Sequence, residues 1–181
     1  MSRTSAAAAK ALTSSNHFEL FGLPAAFSID RDALEKAYRE IQSQVHPDRF
    51  AHAGDAERRA SLQWTTRVNE AYQTLKSPVA RASHLLALRG VDVAFETNTA
   101  MPPEFLMQQM ELREALEEAK DAQALASLQK KLSAERQALE RQIGDALDLK
   151  KDHPAAAGLV RKLQFLDKLD AEIDLAYDEL G

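Results

Sequence analysis

Cysteine is absent from the 181-residue sequence. That excludes disulfides, thiol nucleophiles and cysteine-ligated zinc or iron–sulfur centres. Glycine and proline are scarce, six of each, too few for the many turns of an all-β fold. Valine and isoleucine together number only ten, against 32 alanines and 24 leucines. Strands favour β-branched and aromatic residues, whereas Ala and Leu are strong helix formers, so the composition predicts an all-α protein. No apolar run approaches the ~18–20 residues of a membrane span, and a soluble chain is expected. A net basic field is also missing: the formal charge is −5, which argues against a general nucleic-acid binder.

The charge is unevenly distributed. Residues 1–15 carry Arg3 and Lys10 and no acid, residues 16–77 are close to neutral, and residues 78–181 hold most of the negative excess. Residues 1–15 lack the continuous apolar stretch of a secretory signal, and a single Arg makes them a poor transit peptide; a flexible N-terminal tail is expected. Asn16–Gly22 has the pattern of one or two helical turns ended by glycine. Asp30 or Ser28 then caps a helix whose apolar residues, Leu34, Ala37, Tyr38, Ile41 and Val45, recur at three- and four-residue steps. This helix must stop near Val45, because the residue before Pro47 is pushed out of the α region. After a loop over 46–55, a second helix runs from about 56 to 76 with Trp64, Val68, Ala71, Tyr72 and Leu75 on its buried side. The pair predicts an antiparallel hairpin.

A short helix follows Pro78 and ends at Gly90, and residues 91–103 lack helical periodicity. Three longer helices are expected at about 104–120, 122–150 and 155–180, joined at Asp121 and at Asp152-His153-Pro154, with Pro154 suited to a helix start. Short joints make this a three-helix antiparallel bundle. The expected organisation is therefore a tail over 1–15, a hairpin domain over 16–77, a connecting helix and linker over 78–103, and a bundle over 104–181.

Chemistry is sparse. His46 and Asp48 flank Pro47 with no serine, thiol or second carboxylate nearby. There is no glycine-rich phosphate loop, and no histidines pair at metal-helix spacing. An enzyme is not expected, nor a cofactor or metal. Taken alone, His46-Pro47-Asp48 fits a capped turn in which Pro47 fixes the backbone and Asp48 bonds local amides. Trp64 and Tyr72 are expected in the core, and His52, His84 and His153 as surface or cap residues.

The context of the tripeptide is more specific. An aromatic residue, Tyr38, lies eight positions before His46 on the preceding helix, and Arg49 and Phe50 follow Asp48. Over residues 16–77 this resembles the J domain of DnaJ-type co-chaperones. The resemblance implies that the loop and preceding helix engage an ATP-driven DnaK-type chaperone and trigger its ATPase, without being a catalytic site. Carried over by position, the chaperone contacts are Tyr38, Arg39, Gln42, His46, Pro47, Asp48 and Arg49. The preceding helix departs from the strongly basic family pattern, since Lys36 and Arg39 stand among Asp32, Glu35 and Glu40. A specialised chaperone is the expected partner.

Three segments of the second half, Pro78–Leu86, Phe105–Glu114 and Arg161–Leu169, extend the resemblance to the HscB family of J-type co-chaperones of iron–sulfur cluster assembly. That family implies two partners, the DnaK-type chaperone HscA and the cluster scaffold IscU, and for a chain without cysteine a bacterial, cytoplasmic setting. The residues themselves support a docking face. At ~100° per residue, Phe105, Gln109, Leu112, Leu116 and Ala119 form one stripe, whereas Leu106, Met107 and Met110 lie away from it beside Glu111 and Glu114. Phe165 likewise lies off the stripe of Leu159, Leu163, Leu166 and Ile173. The scaffold-binding face implied by the resemblance comprises Leu106, Met107, Met110, Glu111, Glu114 and Phe165. A general J-type folding co-chaperone is the competing reading; such proteins usually add glycine-rich and cysteine-rich zinc regions, which this sequence lacks.

Overall fold

The computed structural model describes residues 13–93 and 101–180, and every regular element among them is helical. The expected tail, apart from residues 13–15, and the middle of the expected linker lie outside the described residues. The chain divides into two compact units, residues 1–84 and 85–181.

In the first unit α1 spans His17–Leu20, α2 Arg31–Val45 and α3 Asp55–Lys76, and α4, Pro78–Leu88, runs on across the boundary between units. Asn16 caps α1 by accepting from the Glu19 amide at 2.9 Å, and Gly22, with φ at 66°, supplies the left-handed turn that ends it. Asp30 caps α2 by accepting from the Ala33 amide at 3.1 Å. Leu34, Ile41 and Val45 of α2 are buried, as are Val68, Ala71, Tyr72 and Leu75 of α3. Helices α2 and α3 run antiparallel. Near the start of α2, Tyr72 donates its hydroxyl hydrogen to Glu35. Further along, Tyr38 donates to Asn69 at 2.8 Å, and at its end Ser61 and Thr65 donate to the Val45 carbonyl at 2.9 and 3.2 Å. Short α1 supplies Phe18 and Leu20, both almost fully buried.

Trp64 departs from expectation. It is half-buried, and Val68, one turn on, is the residue that fills the core. Arg81 of α4 is buried, donating to the carbonyls of Phe27 and Leu75 at 2.7 Å each, so the orphan carbonyl at the C-terminal end of α3 receives a charged donor.

His84, half-buried, acts as a cap from a distance in the chain, on the first amide of α1. Its ring stacks on His17 with centroids 4.3 Å apart, and its Nε2 accepts from the His17 backbone amide at 3.3 Å. Burial holds both imidazoles below their ordinary value of 6.5. Arg67 adds to this at His17 against the opposing pull of Glu70, and His17 adds to it at His84. The folded unit therefore binds fewer protons than the unfolded chain around pH 6. The stability tied to this pair is complete above about pH 6.5 and falls as pH drops through that value. Thermal melts at pH 7.5 and 5.5 should show a loss on the order of a few degrees that His84→Gln reduces. An identical loss in that variant would place the sensitive groups elsewhere.

In the second unit α5 spans Pro103–Glu118, α6 Ala122–Gly144 and α7 His153–Leu180. Helix α6 continues through one wider turn over Asp145–Leu149. The joints are short and capped: Asp121 accepts from the Ala124 amide at 2.7 Å and Asp152 from the Ala155 amide at 3.1 Å. Lys151, at φ 54°, takes the left-handed position before α7. Leu112, Leu125, Leu128, Leu132, Leu166, Leu169 and Ile173 form one core cluster drawn from all three helices. Toward the start of α7 it is Val160 that is fully buried, while Leu159 is half-buried. Ion pairs lace the rim: Arg136 reaches Asp167 at 2.9 Å and Asp170 at 3.2 Å, and Arg113 reaches Glu172 at 3.0 Å. Among the described residues no helix is long and apolar enough to cross a membrane.

Candidate functional site

Two surfaces carry the residues singled out from the sequence, one in each unit. The first is the end of α2. Val45 is the last helical residue, and His46 turns to an extended conformation, with φ −56° and ψ 135°, as Pro47 demands. Pro47–Phe50 then closes a single 3₁₀ turn. The turn is capped in the opposite sense to the one expected. The Asp48 carboxylate does not receive a backbone amide; instead the Asp48 amide donates to His46 Nδ1 at 3.2 Å. The ring is the better-placed acceptor because the extended His46 backbone swings it over the first amides of the turn, as at any helix N-cap. An accepting Nδ1 places the ring proton on Nε2. The Asp48 carboxylate, 92% exposed, approaches the same Nδ1 at 3.5 Å and faces solvent.

The turn is braced from three sides. Arg49 folds back to donate to the Ser43 carbonyl at 3.1 Å. Phe50 meets Trp64 edge to face, with centroids 5.7 Å apart, which accounts for the half-buried tryptophan. Ser61, fully buried, and Thr65 hold the Val45 carbonyl from α3. Nothing in the hydrophobic pattern marks these two hydroxyls, and sequence reasoning missed them.

Of the seven residues expected on this surface, Arg39, His46, Asp48 and Arg49 are exposed, and Gln42 and Pro47 are half-buried. Arg39 pairs loosely with Glu35 at 3.8 Å. Tyr38 is different. Its ring stacks on Tyr72 at 4.0 Å and its hydroxyl is engaged by Asn69, so it ties α2 to α3.

The second surface is the outer face of α5. Phe105 and Leu112 point inward and are buried, while Leu106, Met107 and Met110 are 44%, 63% and 72% exposed, with Glu111 and Glu114 exposed beside them. Phe165 of α7 is half-buried. It packs on the bundle core, meets Phe105 edge to face at 5.7 Å, and lies 5.4 Å from the Arg113 guanidinium. Glu172 anchors that guanidinium from the next turns of α7. Arg113 thus borders the apolar face beside Phe165, a placement that no local sequence signal marks because its partners lie more than fifty residues away. The arrangement offers no nucleophile or acid–base pair in a cleft; it offers an apolar, methionine-bearing surface with an acidic edge, suited to a protein partner. Among the described residues no three metal-binding side chains converge.

Comparison with known proteins gives matches over both units of the chain. A DnaJ domain family matches residues 16–84, and the family described as the HSCB C-terminal oligomerisation domain matches residues 101–174. Together with the turn at the end of α2, these matches define a J-domain co-chaperone. The curated co-chaperone HscB homolog of Burkholderia mallei is 53% identical, the match covering 91% of this chain and 95% of that one. The Azoarcus homolog is 51% identical over the same shares. Among solved structures, chaperone HscB from Vibrio cholerae matches with a TM-score of 0.81 and 40% identity over 92% of this chain and 99% of that one. Human co-chaperone HscB matches with a TM-score of 0.87 and 27% identity over 91% and 83%. The chain belongs to the HscB family of co-chaperones. Its named relatives are co-chaperones rather than enzymes.

Proposed function

We propose that this chain is the adaptor of iron–sulfur cluster assembly that brings the scaffold IscU to the DnaK-type chaperone HscA and stimulates the HscA ATPase, in the bacterial cytoplasm. The exposed Leu106, Met107 and Met110 on α5 carry this reading. They add an apolar face to a chain whose J domain supplies the chaperone contact, and a general folding co-chaperone has no need of one fixed, narrow docking face. Tyr38, Arg39, Gln42, His46, Pro47, Asp48 and Arg49 meet the chaperone, Tyr38 also tying α2 to α3. Leu106, Met107, Met110, Glu111, Glu114 and Phe165 meet the scaffold, and Arg113 borders them. The adaptor performs no bond chemistry; it raises the effective concentration of scaffold at the chaperone and presents the His46–Asp48 turn that favours hydrolysis.

Steady-state ATP turnover by HscA tests the proposal. The chain and IscU together should stimulate more than the sum of their separate effects. Stimulation that an unrelated unfolded polypeptide supports equally well would favour the general folding co-chaperone instead.

A further inference from the structure

We propose that Arg113 binds a carboxylate of IscU and thereby fixes which way round the scaffold lies on α5. The inference rests on the adaptor reading and adds to it one contact of stated chemistry.

Arg113 stands at one edge of the apolar face. At about 100° per residue it falls within about 20° of Leu106 on the helix circumference. This edge is the one that meets α7, since the guanidinium lies 5.4 Å from the Phe165 ring and donates to Glu172. Lys162 of α7 brings a second cation to the same edge, its Nζ 5.5 Å from the Phe105 ring. The opposite edge of α5 meets α6, where Gln108 donates to Glu135 at 2.8 Å. Exposed Glu111 and Glu114 lie on the far side of Met110, toward that α6 edge. The face is therefore electrically lopsided, with cations along α7 and carboxylates across the apolar strip from them.

The guanidinium is held and only partly used. Both Glu172 oxygens take Nη1, at 3.0 and 3.4 Å. Nε and Nη2 have no hydrogen-bond partner among the described residues. The side chain is half-exposed, so these donors are open to solvent in the free chain. A partner that covers Leu106 and Phe165 covers Arg113 as well and takes that solvent away. Donors buried without acceptors weaken an interface. A carboxylate satisfies two parallel N–H groups of a guanidinium at once. Glu172 and the Phe165 ring set the side chain before the partner arrives, so less freedom is lost on binding. A scaffold turned the other way would bring its acid against Glu111 and Glu114, and like charges repel.

Calorimetric titration of IscU into the full chain, with a melt of each variant, tests this. Arg113→Met keeps a long side chain over Phe165 without the charge. It should melt near the unmodified protein and bind IscU at least ten times more weakly. Arg113→Lys keeps the charge without the two-pronged donor and should fall between them. Treating the Arg113→Lys complex with a water-soluble carbodiimide, which takes up the water released, should join position 113 to an Asp or Glu of IscU. Mass spectrometry would locate that amide. An Arg113→Met chain that binds IscU as tightly as the unmodified one would overturn the inference and leave the adaptor reading standing. So would an amide from position 113 that forms only with Glu172, or none at all. An unmodified chain that does not bind IscU would overturn both.

Discussion

A His46→Gln protein should fold and bind IscU normally yet fail to stimulate the HscA ATPase, with stimulation reduced at least ten-fold. The side chain is half-exposed and its one bond within the protein is to the Asp48 amide. Losing that bond costs about 1 kcal/mol at most, and the glutamine oxygen can accept in its place. What glutamine cannot supply is the rigid aromatic imidazole ring, half-exposed beside an Asp48 carboxylate that faces solvent. Asp48→Asn should fail for the complementary reason, keeping the turn but losing the charge. ATP turnover beside a thermal melt and an IscU titration checks all three statements. A well-folded His46→Gln protein that stimulates fully would remove the J-domain turn from the mechanism.

The triple variant Leu106→Ala, Met107→Ala, Met110→Ala should melt near the wild type and lose IscU affinity by at least about a hundred-fold. Exposed side chains change stability by about 0.5 kcal/mol or less, and these three are exposed large apolar residues of α5. As interface anchors each is worth roughly 1–2 kcal/mol, and about 1.4 kcal/mol is a factor of ten. Basal stimulation of HscA should survive, because the His46–Asp48 turn is untouched. Phe165→Ala belongs in a separate experiment. Its ring supports Phe105 and the bundle core, and since truncating a fully buried Phe costs about 3–5 kcal/mol, this half-buried one should lose both binding and part of the stability. Glu111 and Glu114 lie on the rim, so binding should weaken with salt. Calorimetric titration at two ionic strengths, with a melt of each variant, reads every arm. An early melt of the triple variant would show that the three residues are core, and undiminished binding would move the scaffold site elsewhere on the bundle.

The sequence alone determined the helical class, the caps and most of the buried faces, because these depend on interactions within a few residues. Asp30, Asp121 and Asp152 announce helix starts, Pro47 dictates the end of α2, and the three-to-four-residue recurrence of Leu34, Ile41 and Val45 or of Leu112 and Leu116 selects the inward face. The same periodicity separated Leu106, Met107 and Met110 from the core stripe of their own helix. The family was legible because its marks, the His46-Pro47-Asp48 tripeptide and three later segments, are contiguous strings. What only the tertiary structure decided depends on residues distant in the chain. Tyr38 is committed to Tyr72 and Asn69, thirty residues on. The Val45 carbonyl is held by hydroxyls from α3, His84 closes on His17, and Phe165 divides itself between core and surface because Phe105 and Arg113 arrive beside it. Periodicity reports which face of a helix is apolar; it does not report which partner that face meets, nor how much of a large ring the partner covers. Polar contacts across helices leave still less trace, since a serine such as Ser61 has the same local pattern whether it faces water or ends another helix.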